Sequence, residues 1–105
     1  MIGRVWRGWN TPEHADAYEH LLRDEIFPTI IAKQTPGFRR IELFRRPAGA
    51  EMEFMTVMIF DNFESVRAFA GTDGEAAWVP PKARAILARF DERATHYELR
   101  EVRAP

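Results

Sequence analysis

The sequence predicts one α+β domain with elements in the order β-α-β-β-α-β. Three observations carry this. The chain has 105 residues, which suits one compact domain spanning 1–105 and leaves no room for two. Two helical stretches of apolar periodicity lie between strand-like runs rich in Val, Ile, Phe and Trp. Pro and Gly punctuate the boundaries between them.

Ile2 to Trp9 alternates residue type and reads as a strand, with Ile2, Arg4 and Trp6 on one face and Val5, Arg7 and Trp9 on the other. "NTPEH" opens a helix. Thr11 is a favoured N-cap residue, and Pro12 fits the first helical position because its missing N–H costs nothing there. Tyr18, Leu21, Leu22, Ile26 and Ile30 recur at helical spacing to about Lys33. Pro28 lies inside this stretch, and a clash of its ring with the Asp24 carbonyl predicts a kink or a break.

Pro36 and Gly37 end the helix, and a strand is predicted from about Phe38 to Arg46. "RPAGAE" reads as a hairpin loop before a second strand, Glu51 to Phe60. That strand is apolar on both faces, unlike an antiparallel strand with one wet face, so both faces are expected to be buried. In "FDNFESVRAFAG", Asp61 followed by Glu64 fits a capping box. Phe63, Val66 and Phe69 form the stripe of that helix, and Gly71 its C-terminal cap. An irregular "TDGEAAWV" leads to a short helix from about Pro81 to Arg89 and a last strand from about Asp91 to Val102. The order is the ferredoxin-like one, with one four-stranded antiparallel sheet and helices on one face. Nothing in so short a chain is left to cover the other face, which predicts a homodimer with sheet facing sheet.

Composition excludes several classes of function. Net charge is −1 with basic residues scattered, whereas nucleic-acid binding wants a basic face. No cysteine is present, so disulfides and thiolate chemistry are excluded. The N-terminus lacks the apolar core of a signal peptide. No apolar run approaches the ~20 residues needed to cross a bilayer. A cytoplasmic protein without membrane or nucleic-acid partners is expected.

"PGF", "EFMTVMIFDNFESVRAFAG", "VPPKARAIL" and "RFDERATHYEL" together resemble the antibiotic biosynthesis monooxygenase family across essentially the whole chain. The resemblance implies a dimeric α/β barrel. It also implies several roles: cofactor-independent oxygenation of phenols, quinol oxygenation, or haem degradation. The haem-degrading pattern looks like an Asn on the first strand, a Trp beyond the second helix and a haem-ligating His further on a helix. Asn10 and Trp78 stand in for the first two, but "PPKARAILARF" holds no histidine, which disfavours haem.

The candidate residues follow from these placements. His14 and His20 fall on the polar side of the helix. No pair of His and acidic residues has an obvious third member, so no metal and no cofactor are expected. His96 lies on the last strand, sharing a face with Glu98, and a last strand beside the first brings it toward Arg4, Trp6 or Gly8. It reads either as a buried hydrogen-bonded group in an arginine–glutamate network or as a general base for a phenolic proton. Trp6 and Trp78 suit the walls of a pocket for a flat aromatic molecule. Arg4, Asn10 and Glu98 offer polar contacts to it. Two functions remain open: a cofactor-independent monooxygenase oxidising an aromatic phenol or quinol with O2, and a non-enzymatic dimer binding a small apolar ligand.

Overall fold

Strand β1 (Ile2–Asn10) is the centre of the sheet. It pairs antiparallel with β3 (Glu51–Phe60) along its length, from Ile2 opposite Phe60 to Asn10 opposite Met52. Strand β2 (Phe38–Ala48) is antiparallel to β3 on the outer side, joined to it through a turn at Gly49 and Ala50. The computed structural model describes all residues 1–105. Its strand order is β2-β3-β1-β4, where β4 is Arg89–Phe90, with β5 (Thr95–Glu98) also paired to β1.

The closing strand differs from the sequence expectation. One continuous strand from Asp91 to Val102 is not formed, and the sheet has five strands rather than four. The strands β4 (Arg89–Phe90) and β5 (Thr95–Glu98) take its place along the free edge of β1. Asp91 explains the interruption. Its carboxylate accepts from the backbone N–H of Arg7 at 3.2 Å and from Arg7 Nε at 3.1 Å. A short acidic side chain that captures a strand N–H in this way competes with the ladder.

The helical stretch runs through α1 (Pro12–Leu21), a π-helical turn (Leu22–Ile26) and α2 (Phe27–Ala32). Pro28 does not break it. The widened turn just before the proline takes up the irregularity, with the Phe27 N–H reaching back to the Leu22 carbonyl. Two predicted caps are corrected. The Thr11 side chain makes no capping hydrogen bond, although Thr11 is extended and Pro12 opens the helix. Asn62, not Asp61, caps α3 (Phe63–Ala70): its Oδ1 accepts from the Ser65 N–H at 3.0 Å. Asp61 is instead committed to Arg39, at 2.6 and 2.7 Å. The last helix, α4 (Pro81–Ile86), is shorter than predicted.

The helices pack on one face of the sheet. Phe54, Met58 and Phe60 meet Tyr18, Leu22, Ile26, Ile30, Val66 and Ala83 there in one buried cluster. Removing nonpolar area from water at this scale is the main driving force for the fold. The opposite face carries Val5 against Val57 and Met55 between Arg7 and Phe44. Burial there is incomplete within one chain: Phe44 is 50% exposed and Tyr97 60%.

The connection from α3 to α4 holds Gly74 at φ +74°, where a Cβ would sit 2.7 Å from the Phe63 ring. Its carbonyl accepts from Arg4 Nη1. Gly74→Ala is expected to destabilise the protein by about 1–3 kcal/mol through a strained left-handed residue and an overpacked ring. A lowered urea midpoint at unchanged m-value is the measurement.

Candidate functional site, an apolar cavity with a buried arginine

A cavity of about 60 Å³ lies between the inner sheet face, the α1–α2 stretch and the Ala77–Pro80 segment. Its walls are mainly apolar: Leu22, Ile26, Ile30, Met58, Phe69 and Trp78 are among them. The π-helical turn contributes Leu22 and Ile26, so the irregularity next to Pro28 shapes one wall. The polar members are Arg4, Tyr18 and Thr56.

Arg4 points inward because β1 alternates and Arg4 falls on the helix-covered face, opposite Met58 on β3 and His96 on β5. It is 4% exposed. Nη1 donates to the Gly74 carbonyl, and Nη2 donates to the Ala76 carbonyl at 3.0 Å. The guanidinium also lies 5.7 Å from the Phe69 ring centroid. No carboxylate pairs with it. Burial lowers its pKa, and the more distant Asp73 partly opposes that shift. A guanidinium stays charged even so, leaving a buried cation held by carbonyl dipoles and a ring face rather than a counter-ion.

His96 Nε2 lies 3.0 Å from Arg4 Nη1. Arginine only donates, so Nε2 accepts and the imidazole is neutral with its proton on Nδ1. The ring also packs edge-on against Phe63, with centroids 5.1 Å apart. Burial first, and Arg4 second, push the His96 pKa below its usual 6.5, with Glu75 opposing. In the window below 6.5 the unfolded chain therefore binds a proton that the native chain refuses. Stability is expected to fall as pH drops from about 7 into that window, and to level once the native imidazole also protonates. His96→Gln, which keeps an acceptor for Arg4, is expected to flatten that part of the profile in urea midpoints measured from pH 5 to 7.5.

The other predicted residues separate. Trp6 lines the cavity, its Nε1 tied to the Asp91 carbonyl at 2.7 Å. Trp78 lines it too and is 44% exposed, so it forms part of the mouth. His96 reaches the site through Arg4 and does not itself form the wall. Asn10 is fully buried with neither amide atom hydrogen-bonded, and it lies away from the cavity wall. Glu98 is exposed and pairs with Arg100 at 3.1 Å. His14 and His20 are exposed on α1, and no three His, Asp or Glu side chains cluster.

Sequence reasoning missed two residues. Tyr18 reads as one more apolar position in a helical stripe, yet it lines the cavity and its hydroxyl has no hydrogen-bond partner in the protein. Burial raises its pKa, so it stays a neutral phenol. Thr56 is 8% exposed on the same wall. A hydroxyl among "EFMTVMIF" is the signal that marked it, since an unpaired polar group in a core position is costly. No protein-family model matches the chain. No curated protein is similar enough to it to count as a relative.

Proposed function

We propose that this chain is a small cofactor-independent monooxygenase that binds an aromatic phenol or quinol in the cavity and oxidises it with O2. Arg4 is the observation that carries the reading: an uncompensated cation on an otherwise apolar wall suits a flat, nonpolar molecule with one oxygen able to become an anion. The strand order, read as ferredoxin-like with its last strand interrupted, and the sequence resemblance to the antibiotic biosynthesis monooxygenases support it.

The chemistry divides among few groups. The substrate hydroxyl takes the hydrogen bond that Arg4 Nη1 otherwise gives to His96, and the Nε2 lone pair released by that exchange accepts the phenolic proton. Arg4 holds the resulting phenolate. The electron-rich anion passes one electron to O2, and the two radicals combine to form a carbon–oxygen bond at the ring. The His96 imidazolium returns its proton to the peroxide, and loss of water from the resulting hydroperoxide yields a quinone. One phenol and one O2 give one quinone and one water. The apolar walls exclude bulk water from the anion. The sheet face around Val57, where Val5, Met55, Phe44 and Tyr97 sit beside the Arg40–Glu42 ion pair, belongs to the same proposal as the contact of a homodimer.

The test is oxygen uptake by the purified protein with a panel of phenols and hydroquinones, with quinone formation followed by absorbance. Stoichiometric uptake and quinone release support the reading. Saturable ligand binding without uptake supports the second one, a carrier for a small apolar molecule. That alternative is favoured by the place of His96 behind Arg4 rather than on the wall.

A further inference from the structure

The chain has 15 lysines and arginines, and all but Arg4, Lys33, Arg67 and Arg84 reach a carboxylate. Two of those exceptions meet at the cavity. Lys33, exposed just past the end of α2, holds its ammonium 4.8 Å from the Phe69 ring centroid and 4.7 Å from that of Trp78. Both rings are cavity walls. Arg4 lies over the same Phe69 ring from within the cavity lining. Two cations therefore share one aromatic neighbour, and neither has a counter-ion. Neither cation is neutralised by the aromatic ring it shares with the other. The surface supplies ion pairs to almost every other cation, whereas here Asp73 acts on Arg4 only from a distance.

The wall at this point is also weakly tied down. Trp78 lies outside any helix or strand, is 44% exposed, and its indole Nε1 makes no hydrogen bond. An aromatic ring needs more room than the 60 Å³ present, since an apolar cavity that holds benzene is of order 150 Å³. Moving the Trp78 ring outward enlarges the space and frees the Lys33 ammonium from that ring.

We infer that the ligand carries a dissociated acid, in the simplest case a carboxylate, which takes the Lys33 ammonium at the mouth while its hydroxyl end goes to Arg4. This names the substrate class as a phenolic acid rather than a neutral phenol, and it rests on the phenol reading above. The ligand supplies the counter-ion that the protein withholds, and the cation–π contact of Lys33 with Trp78 is exchanged for an ion pair.

Calorimetric titration with para-hydroxybenzoate, para-hydroxybenzyl alcohol and phenol tests this. The acid is expected to bind about three- to tenfold more tightly than the alcohol, the range an exposed ion pair supplies, with the margin shrinking in added salt. Lys33→Met should remove the margin and leave phenol affinity unchanged. Quenching of tryptophan fluorescence should accompany acid binding as Trp78 moves. Equal affinity for acid and alcohol in the unaltered protein overturns the inference and leaves the phenol reading standing. So does a margin that survives Lys33→Met. Failure of all three compounds to bind overturns both.

Discussion

Replacing Arg4 with methionine is expected to reduce phenol-dependent oxygen uptake by about 100-fold or more, the loss typical of removing a preorganised donor from a developing oxyanion. Arg4 is the single charged member of the cavity wall, so methionine leaves Tyr18 and Thr56 as the polar groups there, and both are neutral. The stability effect has two parts of opposite sign. The Gly74 and Ala76 carbonyls lose their donors, at about 1–3 kcal/mol for buried unpaired groups. Removal of a buried cation without a counter-ion offsets part of that. Fold loss and activity loss are thus separable, by thermal unfolding and oxygen uptake on the same preparation. Arg4→Lys refines the test. An ammonium keeps the charge but lacks the planar fork that reaches two carbonyls and His96 together. It should recover less than a tenth of the uptake. Uptake retained in Arg4→Met would remove the cavity from the chemistry.

The approach of His96 to β1 was legible in the sequence, but its exact partner was not. A last strand beside the first leaves Arg4, Trp6 and Gly8 as neighbours, and the register selects Arg4. The opposed faces of Trp6 and Trp9 follow from the same period of two: Trp6 enters the cavity wall, while Trp9 is covered outside by the Arg7 and Arg89 guanidinium groups at 5.3 and 4.0 Å. Glu98 shares that face as expected, but it falls beyond the cavity and pairs with Arg100. Face is set by local alternation; position along a strand relative to a cavity depends on how the helices lie across the sheet, which no local pattern encodes.

The same limit explains the cavity itself. Its walls come from all three long strands, the whole α1–α2 stretch with its π-helical turn, Phe69 of α3, Ala83 of α4 and the Ala77–Pro80 segment, pieces whose separation is fixed by packing rather than by propensity. The misplaced caps are a competition problem. Asp61 and Asn62 both suit an N-cap, and the choice falls to Asn62 because Arg39, twenty-two residues away in the chain, holds the Asp61 carboxylate in a fork of two hydrogen bonds. Asp91 ends β4 by a still more distant contact, with Arg7 eighty-four residues away in the chain. Each miss arises where a side chain from a remote segment decides a local geometry.

Val57→Asp is expected to keep the proposed homodimer apart as monomers at micromolar concentration. Light scattering should show the mass falling from twice 12.2 kDa to 12.2 kDa. Val57 lies on the uncovered sheet face, opposite Val5 on β1 and Glu42 on β2. Met55, Phe44 and Tyr97 flank it on the same face through the alternation of β2, β3 and β5, with Ile59 beside them already buried within the chain. Water-exposed patches of this kind are rare on monomers and mark association surfaces. A twofold contact between two such faces places each Val57 near its own symmetry mate or that residue's neighbours. An aspartate there buries a charge with no cation reserved for it, at a cost of several kcal/mol on each side of the interface. Three such kcal/mol already raise Kd about 150-fold. The fold of the single chain should survive, because the helix-covered face holds the core and Val57 is not among its members. Circular dichroism unchanged while the mass halves is the expected pair of results. A variant that stays dimeric would move the contact off this face, and an unaltered protein that is already monomeric at micromolar concentration would dismiss the dimer itself.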